Sequence, residues 1–231
     1  FIADMIRVRH GTDRARIRVI PRGVDMRRFD PALVEPARVA ALRAAWGLPA
    51  GRPIIMLPGR LTRWKGQTVL VEAMARLPGD AIAVLVGGAD GREAFRAELE
   101  ALIAARGLGD RVRLAGHVAD MPAALLLADV VVHASTDPEA FGRTVIEAQA
   151  MGRPIIASDL GAPRETVEEA VTGWRVKPGD PDALAQAIGW VLTLPGAERE
   201  TVCARAREVV RERYTTEAMQ AATIAVYREL L

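Results

Sequence analysis

From residue 52 onward, short runs of β-branched and apolar residues alternate with amphipathic stretches whose apolar positions recur at helical spacing. The runs near residues 53–58, 81–87, 111–115, 129–133, 154–158 and 173–176 read as strands. Alternation of this kind predicts an α/β protein: a doubly wound, Rossmann-like parallel sheet with helices on both faces. With a strand order of 3-2-1-4-5-6, the first and fourth strands are neighbours where the winding reverses. The loops after Leu57 and His133 then open into one crevice, which sets Gly59, Arg60 and Lys65 opposite Glu139 and Gly142. From about Pro195 to Leu231 the pattern is two helices separated by Tyr214-Thr-Thr, with Thr215 or Thr216 as the cap before Glu217.

Composition narrows the function classes. At 231 residues, 50% hydrophobic and 26% charged, the chain can bury one sizeable core. Four Phe, four Trp, two Tyr and a net charge of +2 argue against base stacking and a phosphate-tracking surface, so nucleic acid is excluded as a partner. Cys203 is the single cysteine, so no disulfide can form within the chain. This fits a cytoplasmic location, and within a helical stretch the thiol reads as inert packing. No apolar run is long enough to span a bilayer, and Phe1-Ile-Ala-Asp lacks the features of a signal peptide. The first 28 residues carry eight Arg against three Asp. A solvated linker face is the preferred reading, with peripheral contact to anionic lipid at the inner face of the plasma membrane as the alternative.

The chemistry concentrates in residues 139–154, where Glu139 and Glu147 stand eight positions apart around the start of a short helix. That helix begins near Gly142 and Arg143, where backbone N–H groups lack intrahelical partners and carry the positive end of the macrodipole, an anion site. Glu147 falls about a turn inside, roughly 6–8 Å from that end, close to the span from a phosphate to a ribose diol. Five further stretches stand in register with this one: Val19-Ile-Pro-Arg-Gly-Val-Asp25, Gly59-Arg-Leu61 with Lys65-Gly66, Leu85-Val-Gly-Gly88, Leu114-Ala-Gly-His-Val118 and Gly173-Trp-Arg-Val-Lys-Pro-Gly-Asp180. Together they resemble the retaining GT-B glycosyltransferases of family 4, whose mark is a Glu, seven residues, Glu pattern with Phe-Gly inside it. Arg22 stands where many members have Asn.

The resemblance implies a nucleotide-sugar donor, UDP-, GDP- or ADP-linked. It makes Arg60 and Lys65 the cations on the diphosphate, a planar fork and a point charge respectively. Only Lys65 and Lys177 among 31 basic residues are lysines, so a Lys kept within this motif is informative. Glu147 would take the ribose hydroxyls. Glu139 would face the transferred sugar, bonding its hydroxyls and stabilising positive charge at the anomeric carbon. Phe141, Gly142, Arg143 and Thr144 would offer backbone N–H groups to the diphosphate, Gly59 would belong to the same cradle, and Gly116, His117 and Val118 would read the base.

No Asp-x-Asp motif or metal-ligand spacing occurs, so cations and N–H dipoles are expected to stabilise the leaving diphosphate with no metal or other cofactor. Gly87-Gly-Ala-Asp-Gly91 does not complete a dinucleotide fingerprint and reads as a turn. His10 and His133 read as ordinary structure, His133 set apart by its place at a strand end.

The same resemblance divides the chain into 1–24, the end of a preceding acceptor-binding domain with its linker; 25–214, the nucleotide-sugar domain; and 215–231, a helix crossing back onto the first domain. Ile224, Val226, Tyr227 and Leu230 should then form an exposed apolar face that a second chain could cover in a non-native dimer. The expected function is donor binding for transfer of a hexose to a glycan or lipid-linked acceptor in bacterial cell-surface polysaccharide assembly. The alternatives are a non-catalytic nucleotide-sugar module, a storage-sugar synthase or a nucleotide-sugar epimerase; a dehydrogenase-like domain is disfavoured by the missing fingerprint.

Overall fold

The computed structural model describes residues 1–231. One parallel sheet contains β1 (Ile54–Pro58), β2 (Ile82–Val86), β3 (Val112–Gly116), β4 (Val130–His133), β5 (Ile155–Ser158) and β6 (Trp174–Val176). Each lies within a residue of the run that predicted it. The strand order is β3-β2-β1-β4-β5-β6, the doubly wound arrangement.

Ten helices accompany the sheet: α1 (Ile2–His10), α2 (Pro36–Ala45), α3 (Gln67–Arg76), α4 (Glu93–Ala105), α5 (Met121–Leu127), α6 (Arg143–Ala150), α7 (Pro163–Thr166), α8 (Pro181–Thr193), α9 (Gly196–Arg213) and α10 (Thr216–Leu230). Successive strand residues point to opposite faces. Ile54 and Met56 of β1 join Ile82 and Val84 of β2 under Leu125 of α5 and Ile146 of α6. Ile55 and Leu57 join Ala83 and Leu85 under Leu70 and Met74 of α3 and Leu184 and Ile188 of α8. Burial on both faces is why these strands read as continuous apolar runs rather than alternating ones. Each of the Ile, Leu, Val and Met side chains among them stabilises the fold by about 1.5–3 kcal/mol on leaving water.

Short local signals set the helix ends. Asp120, Asp180 and Thr215 accept hydrogen bonds from the third residue of the helix each precedes, Ala123, Ala183 and Ala218 respectively. Thr215 is thus the cap of α10. The turn before it is tied back to Val24, whose N–H donates to Tyr214 O at 2.8 Å and whose carbonyl accepts from Thr216 N–H at 3.1 Å. On α10, Ile224, Tyr227 and Leu230 are exposed and Val226 is half-buried. Cys203 is buried in α9, and burial pushes its thiol up to about 11, as expected of packing rather than of a nucleophile. No helix is long and apolar enough to cross a membrane.

Candidate functional site

β1 and β4 pair through Ile55↔Val130 and Met56↔Val131, so the loops leaving their carboxyl ends are neighbours. The loop after β1 is stitched to the loop after β2, with Gly59 N–H donating to Val86 O at 2.8 Å and Leu61 N–H to Gly88 O at 3.0 Å. Fully buried Gln67 supports it from below, its Nε2 donating to Arg60 O at 2.9 Å while the Arg60 side chain stays exposed. Arg63–Lys65 form a single 3-10 turn that ends at Gly66, whose φ is +75°. A Cβ there would lie 1.9 Å from Ala134 O. Only glycine permits both the backbone conformation and this approach to the end of β4. Thr136 N–H then donates to Trp64 O at 2.8 Å and holds the two loops together.

Their junction brings Lys65 to Glu139 across 74 residues of sequence. Lys65 Nζ lies 2.6 Å from Glu139 Oε1 and 4.4 Å from the centre of the Trp64 ring. His133 Nε2 approaches the same oxygen at 2.7 Å, and Ser135 Oγ donates to it at 2.5 Å. Burial by itself pushes the Glu139 carboxyl up. His133, Lys65 and Ser135 outweigh it by hydrogen bonding, His133 also by charge, and hold the group ionised down to about 2.

Beyond Glu139 the chain enters α6 through Gly142, which is left-handed at φ +72° and unhindered there by any backbone atom. None of the N–H groups of Phe141, Gly142, Arg143 and Thr144 has a backbone partner, and no side chain caps them. Four free donors at the positive end of a helix are suited to an anion. One turn further, Glu147 is buried with its Oε1 3.0 Å from the Arg143 guanidinium. Burial raises its pKa, opposed by Arg143 and by Arg28.

A third group of residues lies where β3 and β2 end. Gly116 closes β3 and, with His117, Leu61, Gly87 and Gly88, walls a hollow of about 360 Å³. His117 is exposed, whereas Val118 packs against the core beneath rather than facing that hollow. Arg28 borders this region, its guanidinium donating to Ala119 O at 3.3 Å, and its charge is felt by Glu147 of α6.

The structure thus gathers Lys65 with Glu139, Arg143 with Glu147, and Gly116 with His117 along one carboxyl edge of the sheet. Sequence reasoning gave three contributors no role. His133, read as ordinary structure though set apart by its place at a strand end, and Ser135, not singled out, both bond Glu139; the end of a buried strand just ahead of that acid, the signal that marked His133, covers Ser135 as well. The turn at 87–91 is a turn, yet its first two glycines wall the same hollow as His117. A separate hollow of about 430 Å³ lies between residues 1–22 and the segment around Phe141 and Ala162. It touches none of Lys65, Glu139, His133 or Glu147, so the converging charges and not hollow size define the site. No three His, Cys, Asp or Glu side chains are grouped to share a metal ion.

Residues 39–209 match the family described as glycosyl transferases group 1. A D-inositol 3-phosphate glycosyltransferase from Xylanimonas cellulosilytica is 38% identical over 229 residues, 98% of this chain and 54% of that protein. Another protein of that description, from Salinispora tropica, is 35% identical over 208 residues, 85% of this chain and 42% of its own length. The chain therefore spans about half the length of the curated relatives it matches. Among solved structures, a glycosyltransferase from Rickettsia africae superposes with a TM-score of 0.96 at 32% identity, covering 99% of this chain and 61% of that one. Anabaena HepE, solved in complex with UDP and glucose, superposes at 0.88 with 30% identity over 97% of this chain and 60% of its own. The match over most of the chain, in sequence and in fold, makes this chain a member of the glycosyl transferases group 1 family.

Proposed function

We propose that the chain binds a nucleoside diphosphate sugar in the crevice between the β1 and β4 loops and serves as the donor half of a retaining glycosyltransferase. The observation that carries this reading is the meeting of Lys65 and Glu139 at 2.6 Å beside four unpartnered N–H groups at the head of α6. A cation and helix dipoles at one spot match the charge that develops on a departing diphosphate, and an ionised carboxylate matches the positive charge left on the sugar.

In this reading Arg60, Lys65 and the N–H groups of Phe141, Gly142, Arg143 and Thr144 hold the diphosphate, with Gly59 keeping their loop close. Glu147 takes the ribose hydroxyls, and Gly116 and His117 border the base. Glu139 faces the sugar. The cations and dipoles stabilise the leaving group with no metal invoked, and the leaving phosphate guides the acceptor to the same face of the sugar. UDP is the first donor to test, because HepE was solved with it.

The acceptor we propose is a glycan or lipid-linked sugar of bacterial cell-surface polysaccharide. A phosphorylated cyclitol is the second reading, supported by relatives described as D-inositol 3-phosphate glycosyltransferases. Cytoplasmic location belongs to the same proposal and rests on the lone cysteine.

Titration calorimetry with UDP, GDP and ADP tests the donor site; one of the three should bind and the others bind less tightly. Full-length protein supplied with labelled donors and either acceptor class tests transfer. Lys65→Ala should lower transfer by at least about 10²-fold, the scale of losing one oxyanion donor. Binding of none of the three nucleotides, or normal transfer by Lys65→Ala, refutes the assignment.

A further inference from the structure

Three donors converge on one oxygen of Glu139. Lys65 Nζ, His133 Nε2 and Ser135 Oγ lie 2.6, 2.7 and 2.5 Å from Oε1, and none bonds Oε2. A carboxylate oxygen offers about two lone-pair directions, so one of these donors is in excess. The three are not equally free to leave. His133 is the last residue of β4, buried and paired in register with Ala157 of β5. Ser135 is buried just beyond it. Lys65 is the exception, a flexible four-carbon stem carrying the charge that a diphosphate needs.

We propose that His133, together with Ser135, is a positioning residue for Glu139, keeping Oε1 engaged when Lys65 moves to the donor diphosphate and so presenting Oε2 to the transferred sugar. The proposal rests on the donor-site reading above.

The chemistry of the ring supports it. Ionised Glu139 can only accept, so Nε2 must carry a proton. Nδ1 is buried with no partner, so every polar contact of the ring runs through Nε2, to Glu139 and at 3.4 Å to Ser135 Oγ. An unpaired buried nitrogen is unfavourable, and the preceding strand positions are all valine. Packing alone therefore gives no reason for histidine at the end of β4. The ring also abuts the head of α6, Nε2 lying 3.5 Å from where a Cβ on Gly142 would sit. It thus sits beside Gly142 while bonding Glu139.

No other charged side chain competes for Glu139. Arg143 is turned to Glu147, and the segment before α7 contributes only a backbone contact, Ala162 N–H donating to Glu139 O at 3.0 Å. Loss of His133 should therefore let burial raise the Glu139 carboxyl.

The test uses the full-length protein with UDP-sugar and labelled transfer. His133→Leu should lower kcat by about 10- to 100-fold, the range of a charge-assisted hydrogen bond. It should leave UDP affinity within about two-fold and move the acid limb of the kcat/KM profile to higher pH. His133→Gln, which returns an N–H at similar reach, should recover most of kcat. Placed on a Glu139→Gln background, His133→Leu should cause no further loss.

Wild-type kcat and pH profile in His133→Leu would overturn the proposal, as would an equal loss on the Glu139→Gln background. If His133→Leu does not fold, Ser135→Ala reads the same contact. It should lower kcat by about ten-fold and shift the acid limb upward, and normal behaviour overturns the proposal. Absence of any nucleotide-sugar binding or transfer by the wild type would instead bring down the donor-site reading; normal variants in an active wild type bring down only the role of His133.

Discussion

Glu139→Gln offers a measurement on stability alone, independent of any donor or acceptor. The carboxyl ordinarily titrates at 4.5 and is held at about 2 in the fold. Burial pushes it up, but His133, Lys65 and Ser135 together pull it further down. A depressed folded-state pKa means that the contribution is fully present above the unfolded value and is lost as pH falls through the folded one. The gap corresponds to roughly 3 kcal/mol over the whole window between pH 5 and 2. By pH 3.5, where the unfolded carboxyl is mostly protonated and the folded one is not, on the order of 1 kcal/mol has gone. Glutamine cannot titrate, so the stability difference between wild type and variant should narrow by about that amount between pH 6 and pH 3.5. Urea unfolding followed by tryptophan fluorescence and circular dichroism at each pH gives the difference directly. A gap that stays constant over this range would mean that the donors around Oε1 do not hold the carboxylate, and the electrostatic account of the site would fail with it.

Other perturbations separate placement from function. Gly66→Ala forces a Cβ to within 1.9 Å of Ala134 O and should destabilise by at least about 3 kcal/mol, lowering the melting temperature by about 6 °C or more. Arg60→Ala removes an exposed side chain and should change stability by less than about 0.5 kcal/mol, yet weaken UDP about ten-fold by calorimetry while leaving uridine binding alone. Glu147→Gln removes a carboxylate that burial disfavours, so at pH 7 the melting temperature should rise while UDP affinity falls; unchanged UDP affinity would remove the ribose role.

Much of the architecture was legible in the residues taken in order. The six β-branched runs, the helix start at Gly142 and the cap at Thr215 all depend on neighbours within a few positions, and periodicity and capping chemistry act at that range. Even the crevice followed, because the alternation of strands and helices admits few windings. What lay beyond reach was which side chains meet inside it. Gly66 presses on Ala134 and Lys65 reaches Glu139 only because β1 and β4, apart in sequence, are adjacent in the sheet.

His133 makes the division plain. In the sequence it is set apart only by its place at the end of an apolar run, with no partner in view. In the fold, the end of β4 and the loop that returns toward α6 place its Nε2 and the Ser135 hydroxyl on the same carboxylate oxygen as Lys65. Local propensity chose the elements, and the parallel packing of distant strands chose the contacts, since a hydrogen bond needs its partners placed within a few tenths of an ångström and no one-dimensional pattern carries that distance.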